Sequence, residues 1–513
     1  MLKQKSKSFA LNATLLALGG LICKIIGALY RVPLVKVLGT TGIGVYQTAF
    51  PLFAILLTLS SGGIAQTVSA LVSSSDRNEV SGVVRGGFSV VGVATFALSV
   101  FMYFLSPIFS QIQGVPEAVE CYRVLTPALV LSGFSAVIKG YFQAYSNVTP
   151  TIISQLIEQI TKLVFGLCLS YYFISEGILT GVVGALIGVS ISELLCFLFL
   201  FIRYIFRKNK EPSLSVSPKS YEFIRVLRYS IPLALGGIIL PLSSLVDSVT
   251  VVNILSTTTS LQEATSLYGI QTGVVSTISN LPAVFTVALG VTVIPIVRAK
   301  CQNNGTRVLE KGRISIKLAL LVCIPASILF ALLSIHIIDL LYPSMTAYER
   351  GVGAVCLSIS SVGITFLGVT QIYSSLLFSV GLSSVSTKNL LIAVLVKCVL
   401  TVPAVRLFGI YGVSGATVLC YVLSALLNAH SWHKLDPQSD PRSLALLLLA
   451  SVSCTLPVFL AKYYLSTSIL FALTLLCVVL YLYMVVKIGA LTFDEAVSIP
   501  FLRPFLKRAR KKK

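Results

Sequence analysis

Charge is scarce in this sequence. Asp, Glu, Lys and Arg make up 11% of the 513 residues, the acids number only 18, and 56% of the chain is hydrophobic. A soluble globular domain carries about 25% charged residues, so the composition excludes that class. No stretch matches GxxxxGK[ST], which excludes a phosphate loop of the ATP-hydrolysing kind, and no long polar segment could fold as a separate soluble domain. The eleven cysteines contain no CxxC pair and lie mostly inside apolar runs, so neither a disulfide nor a metal is expected of them. The first apolar run lacks a convincing small-residue cleavage site and carries Lys24 at its middle. It therefore reads as a retained membrane segment, not as a signal peptide.

What the chain has in abundance is apolar runs of the roughly 20 residues that cross a bilayer. Fourteen are expected, at 10–34, 43–71, 84–105, 121–142, 151–173, 178–204, 227–252, 266–297, 314–334, 353–379, 387–406, 410–432, 443–463 and 467–488. They are continuously apolar instead of alternating, which favours helices over a β-barrel. The expected fold is all-α and polytopic. Of the 39 Lys and Arg residues, about 30 fall on one side when loops are counted from an inside N-terminus, with Lys139 counted among them. By the positive-inside rule both termini are cytoplasmic and the protein sits in the plasma membrane. The basic tail KRARKKK at 507–513 reads as a topology anchor touching anionic lipids, and nucleic acid is not an expected partner.

The longest charged interruption, RKNKEPSLSVSPKSYEFIRVLR at 207–228, follows six runs and reads as a cytoplasmic linker. TGVVGALIG at 180–188 shares GVxGA with YGVSGATVL at 411–419, LALGGLICK at 16–24 parallels LALGGIILP at 233–241, and Lys162 and Lys397 hold comparable places in runs five and eleven. Three matches in one order indicate a parallel six-plus-six repeat with two added helices. The expected organisation is a six-helix lobe at 1–206, a linker at 207–226, a second lobe at 227–434, two further helices at 435–490 and a basic tail at 491–513.

Lys24 and Arg31 stand seven residues apart in LICKIIGALYRVPL. On a helix that spacing places them on one face about 10 Å apart, with Gly27 between them. Each charge at a helix centre costs about 2.5–3.5 kcal/mol, so a lipid-facing position is disfavoured. Two fixed cations suit a pyrophosphate or other anionic head group; snorkelling of Arg31 to the outer interface is the competing reading. Three acids lie in other runs. Glu158 and Lys162 are i, i+4 and can neutralise each other, Glu193 is a second intramembrane carboxylate, and Asp247 has no cation near it in sequence. Asp247 is expected to meet an ion, a proton or a cation from the other lobe, or to make a helix–helix hydrogen bond. Gln143, Asn147 and Gln155 are expected either to line a cavity or to bond between helices. HSWH at 430–433 has no Cys or acid close by and reads as structural.

CKIIGALYRVPL at 23–34, GTTGIGVYQTAFP at 39–51 and KGYFQAYSNVTPTIISQLIEQITK at 139–162 together resemble the stage V sporulation protein B group of oligosaccharide flippases, within the multidrug/oligosaccharidyl-lipid/polysaccharide exporter superfamily. NLPAVFTVALGVTVIPIV at 280–297 is similar to that group's eighth helix. The likeness covers the first twelve runs and is most specific in the GYFQ/LEQ segment. It implies a flippase for an undecaprenyl-pyrophosphate-linked saccharide, of peptidoglycan-precursor type, working by alternating access of two lobes and performing no covalent chemistry. It implies that Lys24, Arg31, Glu158, Lys162, Gln143 and Asn147 meet the substrate, that Asp247 or Glu158 handles a coupling Na+ or H+, and that no other cofactor takes part. Cell-wall synthesis proteins are the expected protein partners. The arginines that related lipid II flippases carry in their second and eighth helices are missing from AFPLFAILLTLSSGG and SLYGIQTGVVSTISN. A cation-coupled drug exporter would favour acids and aromatics over two cations, a glycan polymerase would need a long outer loop, and a non-transporting scaffold is not distinguished by sequence.

Overall fold

A long apolar run in lipid can satisfy its backbone polar groups only within itself or in a closed barrel. The computed structural model describes residues 2–75, 79–208, 219–290, 305–437 and 441–489, and among these all regular structure is helical. The helices are α1 Leu2–Ser61, α2 Ile64–Ser74, α3 Val80–Ile112, α4 Val119–Ala144, α5 Thr149–Phe173, α6 Ile178–Lys208, α7 Lys219–Gly237, α8 Ile239–Leu255 and α9 Leu261–Gly269. A π-helical segment, Ile270–Val275, leads from α9 into α10 Ser276–Ser279, and α11 Leu281–Gly290 follows. The remainder are α12 Gly305–Leu332, α13 Ser334–Leu341, α14 Ala347–Ser379, α15 Ser383–Phe408, α16 Ile410–His433, α17 Pro441–Ala461 and α18 Thr467–Lys487.

Among the described residues ten single helices are long and apolar enough to cross a membrane, or up to twelve spans if two bent pairs each count as one. The chain is a multi-pass membrane protein. The expected runs at 227–252 and 266–297 fall on those bent pairs, which turn by 45° between α7 and α8 and by 49° before α11. Both breaks follow from local sequence, since Pro241 in the first turn of α8 cannot donate to the carbonyl of Gly237, where α7 ends, and Pro282 occupies the first turn of α11. The first expected run lies within α1 and the second, 43–71, runs from α1 into α2; the 60 residues of α1 leave helical geometry at Gly39 (φ 68°, ψ 178°), a conformation that glycine alone adopts without strain. Residues 291–297 of the eighth expected run, residues 209–218 of the linker and the basic tail lie outside the described residues.

The chain divides into two units, one of Met1–Ile278, Tyr342–Gly353 and Val394–Ala416, the other of Ser279–Leu341, Ala354–Ala393 and Thr417–Lys513. In the first unit, Val68, Val84, Val91, Val137, Ile138, Tyr141 and Leu200 form a buried core with Phe88, Phe134 and Phe197 against it. Beside that core α5 and α6 touch backbone to backbone: a Cβ added to Gly188 would stand 2.4 Å from the Cα of Gly166. Small residues allow such an approach, and in lipid close packing is what holds helices together.

In the second unit Trp432 is buried with Ala319, Ile372 and Leu376, and Arg313 clasps Asp436 through two hydrogen bonds of 2.8 Å. His430 and His433 end α16 and line a cleft of about 490 Å³ with Trp432 and Leu447, where two basic side chains complement the helix C-terminus.

Replacing Gly188 by Val forces α5 and α6 apart and is expected to destabilise the protein by about 1–3 kcal/mol. The thermal unfolding midpoint of the purified protein in detergent measures this, with Gly188→Ala intermediate.

Candidate functional site

Arg31 is half-buried on α1. Its guanidinium carbon stands 5.5 Å from the Tyr46 ring centroid, a cation–π contact that links the two sides of the Gly39 break. Its Nη1 is buried and has no hydrogen-bond partner. The π-helical segment runs alongside, since a Cβ on Gly273 would lie 3.8 Å from that nitrogen. Within this segment the Gln271 side-chain oxygen accepts a hydrogen bond from Ser414 at 2.8 Å. Lys24, two turns earlier on α1, is exposed between exposed Ile22 and Ile25. The two cations share a helix, but only Arg31 is enclosed by other elements.

Across from α1, the i, i+4 pair of α5 forms as its spacing predicts, with Lys162 Nζ 3.7 Å from Glu158 Oε1. Gln159 donates to the same carboxylate at 3.1 Å, and its side-chain oxygen would stand 3.2 Å from a Cβ on Gly27. The Gly166–Gly188 contact then brings in α6. Glu193 is only 8% exposed, and donor atoms of Glu158, Glu193 and Cys196 all lie within 4.8 Å of one another. Lys139 and Lys162 both interact electrostatically with the two glutamates, and Lys162 also interacts with Tyr46 and Arg31. One contiguous polar cluster thus joins α1, α4, α5 and α6.

Three members of that cluster were not singled out as site residues from the sequence. Lys139 was counted with the cytoplasmic cations, yet it lies inside α4, half-buried and turned to two carboxylates; its place near the end of an apolar run gave it the look of a loop charge. Glu193 and Cys196 sit more than thirty residues from Glu158, and only the α5–α6 contact unites them. Gln143 ends α4 and Asn147 lies in the following turn, its N–H bonded to the Phe142 carbonyl at 3.1 Å. Eleven residues separate Asn147 from Glu158, about 15 Å along α5. This corner instead holds Arg207, whose guanidinium carbon is 4.4 Å from the Tyr145 centroid, with Tyr141 and Phe142 also beneath it. Gln155, on α5, keeps a buried side-chain oxygen without a partner.

Asp247 finds its cation on α15. Lys397 Nζ donates to Asp247 Oδ2 at 2.5 Å and to Ser243 at 3.2 Å, with Asp247 9% and Lys397 7% exposed. The sequence left open an ion, a proton, a cation from the other lobe or a helix–helix hydrogen bond; the partner found is a cation from another helix of the expected second lobe. An ion pair at this depth holds because each charge cancels the other's desolvation cost, so losing one partner strands the other. Asp247→Asn or Lys397→Met alone is expected to cost about 3–5 kcal/mol. The double variant is expected to recover most of that loss, as a double-mutant cycle of thermal unfolding measures.

A family model described as polysaccharide biosynthesis protein matches residues 9–300. The chain is 25% identical to the lipid II flippase MurJ of Bacillus subtilis (strain 168) over 437 residues, 80% of each chain. It is 24% identical to stage V sporulation protein B of the same organism over 446 residues, 84% of this chain and 85% of that one. Among solved structures, a lipid II flippase MurJ in an inward closed conformation superposes with a TM-score of 0.75 at 17% identity, over 92% of this chain and 97% of the other. That likeness is one of fold.

Proposed function

Since this chain belongs to the polysaccharide biosynthesis protein family, we propose that it is a flippase moving an undecaprenyl-pyrophosphate-linked saccharide, of peptidoglycan-precursor type, from the inner to the outer leaflet of the plasma membrane. The observation that carries this reading is the buried, unpartnered Arg31 Nη1 in a cluster that also contains Lys162. A guanidinium nitrogen without an acceptor is costly to bury, and a phosphate oxygen supplies one in the planar, forked geometry that guanidinium groups favour. Arg31 and Lys162 then hold the head group, Tyr46 orients the guanidinium, and exposed Lys24 draws the anion toward them. The isoprenoid tail stays in lipid.

No bond is made or broken in this scheme, so the protein needs only two arrangements with different affinity for the head group. Both termini face the cytoplasm, where the basic tail contacts anionic lipid and cell-wall synthesis proteins are the partners to look for. The two cations argue against a drug exporter, whose cationic cargo they would repel. Asp247, held by Lys397, has a structural role in this scheme.

Transbilayer movement of a fluorescent undecaprenyl-pyrophosphate saccharide in proteoliposomes tests the proposal. A charge-assisted hydrogen bond contributes about 1.5–3 kcal/mol, so Arg31→Ala is expected to slow movement by about 10- to 100-fold and Lys24→Ala by less. Equal rates in wild type and Arg31→Ala would remove the cations from substrate capture, and an inactive wild type would refute the substrate.

A further inference from the structure

The α5–α6 carboxylates hold an unresolved polar contact. Glu193 is more than nine-tenths buried, Ser132 hydrogen-bonds its carboxyl, and yet Oε2 is buried with no donor. Its nearest titratable neighbours are Glu158 and Cys196, with donor atoms within 4.8 Å. Lys139 from α4 and Lys162 from α5 supply long-range attraction, and Cys23 from α1 interacts with Glu158 and Lys139. Lys162 stands at ion-pair distance from Glu158, 3.7 Å. Two carboxylates this close in a medium of low polarity repel strongly when both are ionised.

We propose that Glu158 and Glu193 share one proton, and that this proton tunes the cluster's affinity for its anionic ligand. A proton on Glu193 makes the orphan oxygen a donor and removes the repulsion between the two carboxylates. A metal ion fits less well, because hard cations take about six oxygen ligands whereas two carboxylates and a thiol are offered here, with two lysines close by. The charge count gives the consequence. Glu158 and Glu193 balance Lys139 and Lys162, so these four groups together are neutral; one proton from water leaves them at plus one, and its return to water restores neutrality. Lys162 links this cluster to Arg31, so protonation raises the positive potential where the head group is held. Proton and anion therefore each favour the other's binding by the same factor, as linkage requires. This second step rests on the flippase reading; the shared proton does not.

Infrared difference spectroscopy of the full-length protein in nanodiscs, titrated with pH, tests both steps. The expected result is a protonated-carboxyl band in wild type that is absent from the isosteric variant Glu193→Gln. In Glu158→Gln the band titrates at lower pH, because the neighbouring negative charge is gone. Variants that elute as monodisperse protein and unfold at the wild-type temperature count as folded, and Glu193→Asp, which keeps a carboxyl group, is expected to retain the band. Identical spectra for wild type and Glu193→Gln at every pH would overturn the shared proton. Loss of the band on adding sodium chloride at constant pH would overturn it in favour of a cation site. Adding undecaprenyl pyrophosphate is expected to move the titration to higher pH, with binding about tenfold tighter at the low-pH end. Binding of equal strength at all pH values would overturn the coupling, while absence of binding with the band intact would refute the flippase reading alone.

Discussion

A charge taken out of water needs a partner of opposite sign within a few ångströms, and the arrangement of the first unit follows from that need. Lys162 is held by Glu158 and Lys397 by Asp247. Each pair fixes the neighbourhood of one helix: α5 is turned so that its polar face meets α1 and α6, and α15 is turned so that its lysine meets α8. Replacing both pairs by apolar side chains would cost little in principle. Their presence suits the proposed passage of a charged head group, which calls for a polar interior.

The two pairs also bear on the internal repeat expected from the sequence. Lys162 and Lys397 hold comparable places in runs five and eleven, and each is neutralised by an acid. The solutions differ, because Glu158 lies one turn away on the same helix whereas Asp247 comes from another, 150 residues distant. A local pair can be loosened by a change of rotamer. An interhelical pair of two buried groups ties two elements together, so the two comparably placed lysines have different duties.

How much was legible in the sequence follows the same distinction between local and distant. Helices read from length and unbroken hydrophobicity match the structure within a few residues in most cases, since each run had to satisfy its own hydrogen bonds. Proline and glycine marked the bends between α7 and α8 and before α11. Glu158 with Lys162 could be read from spacing alone. The meeting of Glu193, Cys196 and Lys139 with Glu158 could not, because it depends on how closely α5 and α6 approach at Gly166 and Gly188. Nor could spacing announce the corner at Gln143 and Asn147, where Arg207 from α6 stands over the Tyr145 ring.

The break at Gly39 has an electrical meaning as well as a geometric one. A continuous helix of 60 residues would be one dipole with its poles at the far ends, whereas one residue outside helical geometry divides it into two dipoles placed head to tail. The first half ends in a partial negative charge, and Lys36 stands in its last turn. The second half begins at Thr40 with a partial positive charge, and there the Glu349 carboxylate accepts hydrogen bonds from Thr40 and, at 3.3 Å, from Ser266. Cation before the break and anion after it are each matched to the pole they face. Straightening α1 would abolish both poles at once and leave Lys36 and Glu349 without the fields that favour them, so the bend is held by electrostatics in addition to the freedom of a glycine.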